Sequence, residues 1–199
     1  MRPAASTVNR ASTRIIGIDD GPFTKQQEYA PLVAALLDGP HLRDVRVTRV
    51  TVDGLDATVK TVKLLGRWRP APTILSGVTF AGFNLIDPHV LQEKFRVPVV
   101  VVVGSRPDNR AVKRALVKHF PDWKQRWAII RSLGPLRRVR TNPDESPIYY
   151  ESFGCTPQEA ASILKCCSYV SRLPEPVRIA GLLAAGLYGS GSGDRKSVV

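Results

Sequence analysis

The chain has 199 residues, 43% of them apolar, and a formal net charge of +12 at pH 7. That length suits a single domain with its own core, or one domain with a small appendage. No apolar run approaches the roughly 18 residues of a bilayer span, and residues 1–12 lack the apolar stretch of a secretory signal, so neither a membrane protein nor a secreted precursor is expected. Lys and Arg together number 29 against 17 Asp and Glu, a balance that favours polyanionic partners, nucleic acid ahead of acidic membrane surfaces.

Residues 1–12 read as a flexible basic arm. A strand is predicted over 13–19, ending at Asp19 and Asp20 in "IIGIDDGPF". "YAPLVAALLDG" (29–39) and "VRVTRVTV" (45–52) read as the second and third strands, with Gly39-Pro40 as the turn between them. Imperfect alternation of Val45, Val47, Val50 and Val52 leaves room for a bulge. Residues 55–68 read as a helix with Leu55, Val59, Val62 and Leu65 on one face. "TILSGVTF" (73–80) follows as a strand, then a turn at "AGFN", then a helix from Pro88 to Lys94. "PVVVVV" is apolar throughout, as a strand covered on both faces would be. In "SRPDNRAVKRALVKHF", Ser105 and Asp108 have capping-box spacing. That helix is expected to bury Ala111, Val112, Ala115 and Leu116 and to turn Arg110, Lys113, Arg114 and Lys118 elsewhere. The next helix holds Trp123 and Trp127 one turn apart. "GPLRRVR" and "PIYYESF" form a hairpin, helices over 156–167 and 174–187 close a domain spanning 13–187, and 188–199 read as a flexible tail. Three antiparallel strands followed by alternating strands and helices make an α/β fold, a mixed sheet with helices on its faces.

Acidic residues gather at predicted strand ends. Asp19 and Asp20 close the first strand; Asp53 and Asp56 follow the third in "TVDGLDAT". Carboxylates brought together need a cation, and hard oxygen ligands without His or Cys select Mg²⁺ or Mn²⁺. Such ions activate water and stabilise charge on a phosphodiester. In that reading Asp19, Asp20 and Asp53 are catalytic, with Asp19, Asp53 and Asp56 on the metal. The alternative is that Asp20-Gly21-Pro22 and Asp53-Gly54 are simply turns. His41, His89 and His119 are scattered, and Ser76 lacks the G-x-S-x-G setting of a hydrolase nucleophile. Cys155, Cys166 and Cys167 have no zinc spacing and read as small apolar residues of a reduced, cytoplasmic protein.

These residues sit within blocks that resemble the archaeal endonuclease dU family, similar in turn to endonuclease V. The blocks are "GIDDGPF", "VTVDGLDAT", "SGVTFAGFNLID", "PDNRAVKRAL", "HFPDW" and "LPEPVRIAGLL". The resemblance implies an RNase H-like sheet, an antiparallel meander followed by parallel strands. Asp19 inherits the metal-ligand role of the Gly-hydrophobic-Asp motif. Asp53 stands, by order along the chain, near a second carboxylate of endonuclease V. Ser76 falls where a third carboxylate would be, and a hydroxyl is a poorer ligand. No "PYIPG"-like wedge is present, which leaves "TFAGFN", with Phe83 able to stack, as the candidate probing loop.

The implied activity is a metal-dependent DNA endonuclease, acting near deaminated bases and deoxyuridine foremost, in DNA repair. Arg110, Lys113 and Arg114 would contact backbone phosphates. A non-catalytic nucleic-acid-binding protein with a degenerate site is the alternative. A sugar-kinase or actin-like ATPase, whose first phosphate loop resembles "GIDDG", needs two such domains and a longer chain.

Overall fold

Alternating runs of β-branched residues and short capped helices build one seven-stranded sheet, described by a computed structural model over residues 14–24 and 26–191. Strands β1 (Arg14–Asp20), β2 (Tyr29–Asp38) and β3 (His41–Thr51) form an antiparallel meander. Helix α1 (Ala57–Leu65) leads to β4 (Thr73–Ser76), which pairs parallel with β1. A small hairpin, β5 (Thr79–Phe80) and β6 (Asn84–Leu85), and helix α2 (Pro88–Phe95) precede β7 (Val99–Val103), parallel to β4. Helices α3 (Asn109–His119) and α4 (Trp123–Ser132) follow, then the antiparallel strands β8 (Arg137–Val139) and β9 (Ile148–Phe153), and helices α5 (Pro157–Cys166) and α6 (Glu175–Gly191). Spatial strand order is β3-β2-β1-β4-β7-β9-β8.

The period-2 geometry of strands sorts side chains onto the two faces of the sheet. Ile16, Ile18, Leu75, Val99 and Val101 face one core with Phe80, Ile86 and Leu91. Ile15, Ile74, Val100 and Val102 face the other with Ala160, Leu164 and Val177. The first four valines of β7 are therefore divided between two cores, which is why that segment carries no polar alternation. Helix α6 lies over β1 and β2, its Ala180 and Ala184 packed on Val33, Ala35 and Leu37.

Several boundaries differ from the sequence expectation. The strand predicted over 73–80 breaks at Gly77, whose φ of 87° ends β4 and starts the separate hairpin. Strand β3 begins at His41, and its irregularity falls between the Leu36–Asp44 and Leu37–Leu42 pairs, ahead of the valines. Helix α1 buries Ala57, Thr61, Leu64 and Leu65, while Leu55 and Val59 are exposed. Asp108, not Ser105, caps α3, accepting from the N–H groups of Arg110 and Ala111, and only Leu116 of that helix is fully buried. Helix α6 continues to Gly191, past the expected end at 187. The predicted basic arm and residues 192–199 of the predicted tail lie outside the described residues. Among the described residues no helix is long and apolar enough to cross a membrane.

Candidate active site

The last two residues of β1 point to opposite faces of the sheet. Asp19 faces α6, on the side of Ile15 and Ile74; Asp20 faces the β5–β6 hairpin. Because β4 runs parallel to β1 with Ile18 beside Leu75, the next residue pair brings Ser76 to Asp19, near enough for its hydroxyl to favour the ionised carboxylate. Asp19 Oδ1 also accepts from the Asp20 N–H at 3.0 Å. Helix α6 passes close enough that a Cβ at Gly181 would lie 2.5 Å from Asp19 Oδ2. Glycine there leaves the carboxylate its space. Burial, then the negative charge of Asp20, push the Asp19 pKa up to about 7, against the smaller opposing effect of the Asp20 N–H and the Ser76 hydroxyl. Among the described residues Asp19 has no Lys or Arg partner.

Asp20 is half committed. Its Oδ2 accepts from the Ala81 N–H at 2.5 Å, and burial raises its pKa. The carbonyl of the same Ala81 accepts from the Asp53 N–H at 2.8 Å. The hairpin turn is thus pinned between the ends of β1 and β3. Gly82 in that turn has a φ of 86°, and a Cβ on it would stand 2.2 Å from Asp53 Oδ1, so only glycine fits.

The expected convergence of Asp53 and Asp56 on Asp19 does not occur. Strands β1 and β3 do run parallel, both being antiparallel to β2, but β2 lies between them and the hairpin turn fills the gap at their ends. Asp53 sits in the left-handed region at φ 55°, and its Oδ1 accepts from the Phe83 N–H at 2.8 Å. Asp56 is saturated. Oδ1 accepts from the Thr51 N–H and Asn84 Nδ2, and Oδ2 from the Thr51 hydroxyl and Lys60 Nζ. Burial would raise its pKa, but those donors outweigh burial and pull it to about 2. Both aspartates act as clamps. Among the described residues no three His, Cys, Asp or Glu side chains form a metal-binding group.

Phe83, expected to stack on a base, is instead half-buried. It packs with Leu85, Leu116 and Ile130 and meets Phe120 edge-on at 5.4 Å between centroids. Its carbonyl accepts from Arg126, which sequence reading passed over. Arg126 is 4% exposed, and its guanidinium also holds the Asp53 and Gly54 carbonyls and the Asp122 carboxylate. Set between two tryptophans on a helix, it carries no sequence signal that separates it from a surface arginine. Arg110, Lys113 and Arg114 are exposed on α3 and, with Val117 and Lys118, line a shallow hollow of about 450 Å³. Glu151 on β9, also unmarked in the sequence, is buried beside a larger cleft next to α3 and α4.

The sequence model of the endonuclease dU family matches residues 11–188. The UPF0215 protein of Methanothermobacter thermautotrophicus is 38% identical over 184 residues, covering 89% of each chain. Among solved structures, a protein of unknown function from Archaeoglobus fulgidus superposes with a TM-score of 0.79 at 30% identity, covering 88% of this chain and 98% of that one. Endonuclease V of Ciona intestinalis, solved with a 24mer DNA containing an inosine followed by a ribo-adenosine, gives a TM-score of 0.60 at 16% identity, covering 91% of this chain and 88% of that one. The mixed sheet with its leading meander is an RNase H-like fold.

Proposed function

This chain belongs to the endonuclease dU family, and from that premise we propose that it is a divalent-metal-dependent endonuclease hydrolysing phosphodiester bonds in DNA near deaminated bases, deoxyuridine foremost. The observation that carries the reading is the state of Asp19. A partly buried carboxylate with a second carboxylate beside it, a raised pKa and no cationic partner among the described residues is destabilised as an anion. A cation bound there relieves that destabilisation.

The donors fit a sparse, hard-cation site. Mg²⁺ is commonly held by one or two carboxylates, with water and substrate phosphate completing its shell. Asp19 would hold the ion, with the Ser76 hydroxyl beside it and the Asp20 carboxylate, on the other face of the strand, adding negative charge. Asp56 is occupied with backbone and side-chain donors, and Asp53 is exposed beyond the hairpin turn with its Oδ1 on the Phe83 N–H, so both are left out of the ligand set. When bound, Mg²⁺ or Mn²⁺ supplies a more acidic water and stabilises charge on the phosphodiester. Ser76 stands beside Asp19 and favours its ionised form, and Gly181 keeps α6 clear of the carboxylate. Arg110, Lys113 and Arg114 supply positive charge for backbone phosphates, which positions the strand without reading its sequence.

End-labelled DNA carrying one deoxyuridine or deoxyinosine, incubated with Mg²⁺ or Mn²⁺, tests this reading. The parent protein is expected to nick it and Asp19→Ala to leave it intact. Full cleavage by Asp19→Ala removes Asp19 from the mechanism. A second reading, a nucleic-acid-binding protein with a degenerate site, draws on the neutral Ser76 and the lack of a three-acid group among the described residues. Tight DNA binding with no heat of Mn²⁺ binding favours it.

A further inference from the structure

A second cleft, of about 510 Å³, opens beyond the carboxyl end of β7, between the start of α3, helix α4 and the segment leading to β8. That volume is in the range of small-molecule and cofactor sites. Arg106, Arg110 and Arg131 stand on its walls with Trp127, and Glu151 of β9 borders it. Glu151 pairs through its backbone with Val101 on the face that carries Asp20, and is 9% exposed. Its carboxyl group makes no hydrogen bond or ion pair among the described residues, and burial alone pushes its pKa up to about 7. Asp56 and Asp122, by contrast, are each tied to an arginine, a lysine or backbone donors. Burying an unpartnered carboxylate opposes folding; one that faces a cleft is available to a ligand with an N–H to donate. The N–H groups of Arg110 and Ala111 are already taken by the Asp108 cap, so positive charge in this cleft comes from the arginine side chains.

Resting on the DNA reading above, we propose that this cleft takes the base of a nucleotide turned out of a DNA strand. Glu151 accepts a ring N–H of that base, and Arg106, Arg110 and Arg131 hold the flanking phosphates. The chemistry separates a deaminated base from its parent, while thymine and guanine share the same ring N–H and are not excluded by this contact. Cytosine N3 and adenine N1 are acceptors, and hydrolytic deamination converts them to the N3–H of uracil and the N1–H of hypoxanthine. An ionised carboxylate only accepts. At the ring nitrogen it pairs with the deaminated base and meets the parent acceptor to acceptor, a repulsion that the neighbouring exocyclic amine offsets only if the base shifts in the cleft. Trp127 offers an aromatic surface beside the base, as in other sites that hold extruded nucleotides.

The test is binding without cleavage. Short single strands of deoxyadenosine, free of thymine and guanine and alike except for one central deoxyuridine, deoxycytidine or abasic site, are titrated without divalent metal, at a pH of about 8.5 so that Glu151 is ionised. The parent protein is expected to bind the deoxyuridine strand about tenfold more tightly than the other two. Glu151→Gln, which keeps the shape of the side chain and adds a donor, should bind deoxyuridine and deoxycytidine strands alike. Gly134→Leu keeps Glu151 intact. A Cβ at Gly134 meets nothing within 4 Å, so the substitution adds bulk to the cleft wall without disturbing the fold, and should bring all three strands to the abasic level. Equal binding of all three strands by the parent, or an unchanged preference in Glu151→Gln, overturns the assignment of the cleft while leaving the nuclease reading intact. Failure of the parent to bind any strand overturns the DNA reading itself.

Discussion

Asp19 lies in the last two residues of β1 and Asp56 follows β3, at the same end of the sheet, and the fold treats them oppositely. Around Asp56, four donors fill both carboxylate oxygens and pull the pKa to about 2. Around Asp19, burial and the Asp20 charge outweigh the Asp20 N–H and the Ser76 hydroxyl and push the pKa to about 7. One charge is welcomed and the other strained. Acidic residues clustered along the sequence therefore divide by how completely their lone pairs are satisfied, and the unsatisfied one is where a cation or substrate has something to gain.

The strongest way to break this comparison is substitution of each partner. Asp19→Asn should lower cleavage on the order of 10³-fold or more, as removal of a group acting in the transition state does, while metal-free stability stays level or rises. Asp56→Ala should do the reverse, losing about 2–3 kcal/mol of stability by denaturant titration because Asn84, Thr51 and Lys60 lose their shared acceptor. Its specific activity per folded molecule should be retained. Loss of stability in Asp19→Asn would make Asp19 a second clamp.

The two carboxylates also give opposite pH dependences. The Asp56 contribution is present above the unfolded pKa near 3.8 and is lost as pH falls through about 2. For Asp19 the folded state holds the proton more tightly, so stability is greatest below the unfolded pKa and declines as pH rises to about 7. Glu151 adds a decline over the same upper window. Metal-free denaturant midpoints should fall between pH 4 and 7, each carboxylate contributing at most about 1.4 kcal/mol per pH unit. Asp19→Asn should flatten that fall in part, and saturating Mn²⁺ should do likewise. A profile that rises from pH 4 to 7 in the metal-free protein contradicts the strained state of Asp19.

Gly181→Ala tests the space on the helix side. The new methyl carbon would stand 2.5 Å from Asp19 Oδ2, so the carboxylate must move. Cleavage is expected to drop about tenfold, with little change in melting temperature because alanine improves helix propensity by about 1 kcal/mol. The smallest effect concerns the basic surface. Neutralising Arg110, Lys113 and Arg114 together should reduce the slope of log affinity against log salt by about one unit for each phosphate that the surface ceases to neutralise. An unchanged slope moves backbone binding elsewhere, with the exposed Arg137 and Arg138 of β8 the next surface to test.

Strand positions and the placement of Asp19 at the end of β1 were legible because apolar runs and Gly-Pro punctuation are local signals. What was not legible depended on distant partners. Asp56 is saturated partly by Asn84, 28 residues away, and Asp53 is separated from Asp19 by a hairpin that reads as part of one strand until Gly77 turns it. The Leu55–Val59 stripe suggested the buried face of α1, yet the helix packs with Ala57, Thr61 and Leu64 inward, since small residues allow a close approach to the sheet. Glu151 in "IYYESF" carries no local signal of burial; α2 packs on the same face of β9 through His89 and Phe153, and the start of α3 and helix α4 border the cleft beside it.

Metal-induced stabilisation is the most direct measure of the central claim, that Asp19, rather than Asp53 or Asp56, is held in reserve for a cation. Melting temperatures of the parent, Asp19→Asn and Asp53→Asn are compared with and without saturating Mn²⁺. Ligand binding to the folded state raises the midpoint by mass action. The account predicts a clear rise for the parent and for Asp53→Asn and none for Asp19→Asn. An undiminished rise in Asp19→Asn, or its loss in Asp53→Asn, would contradict it.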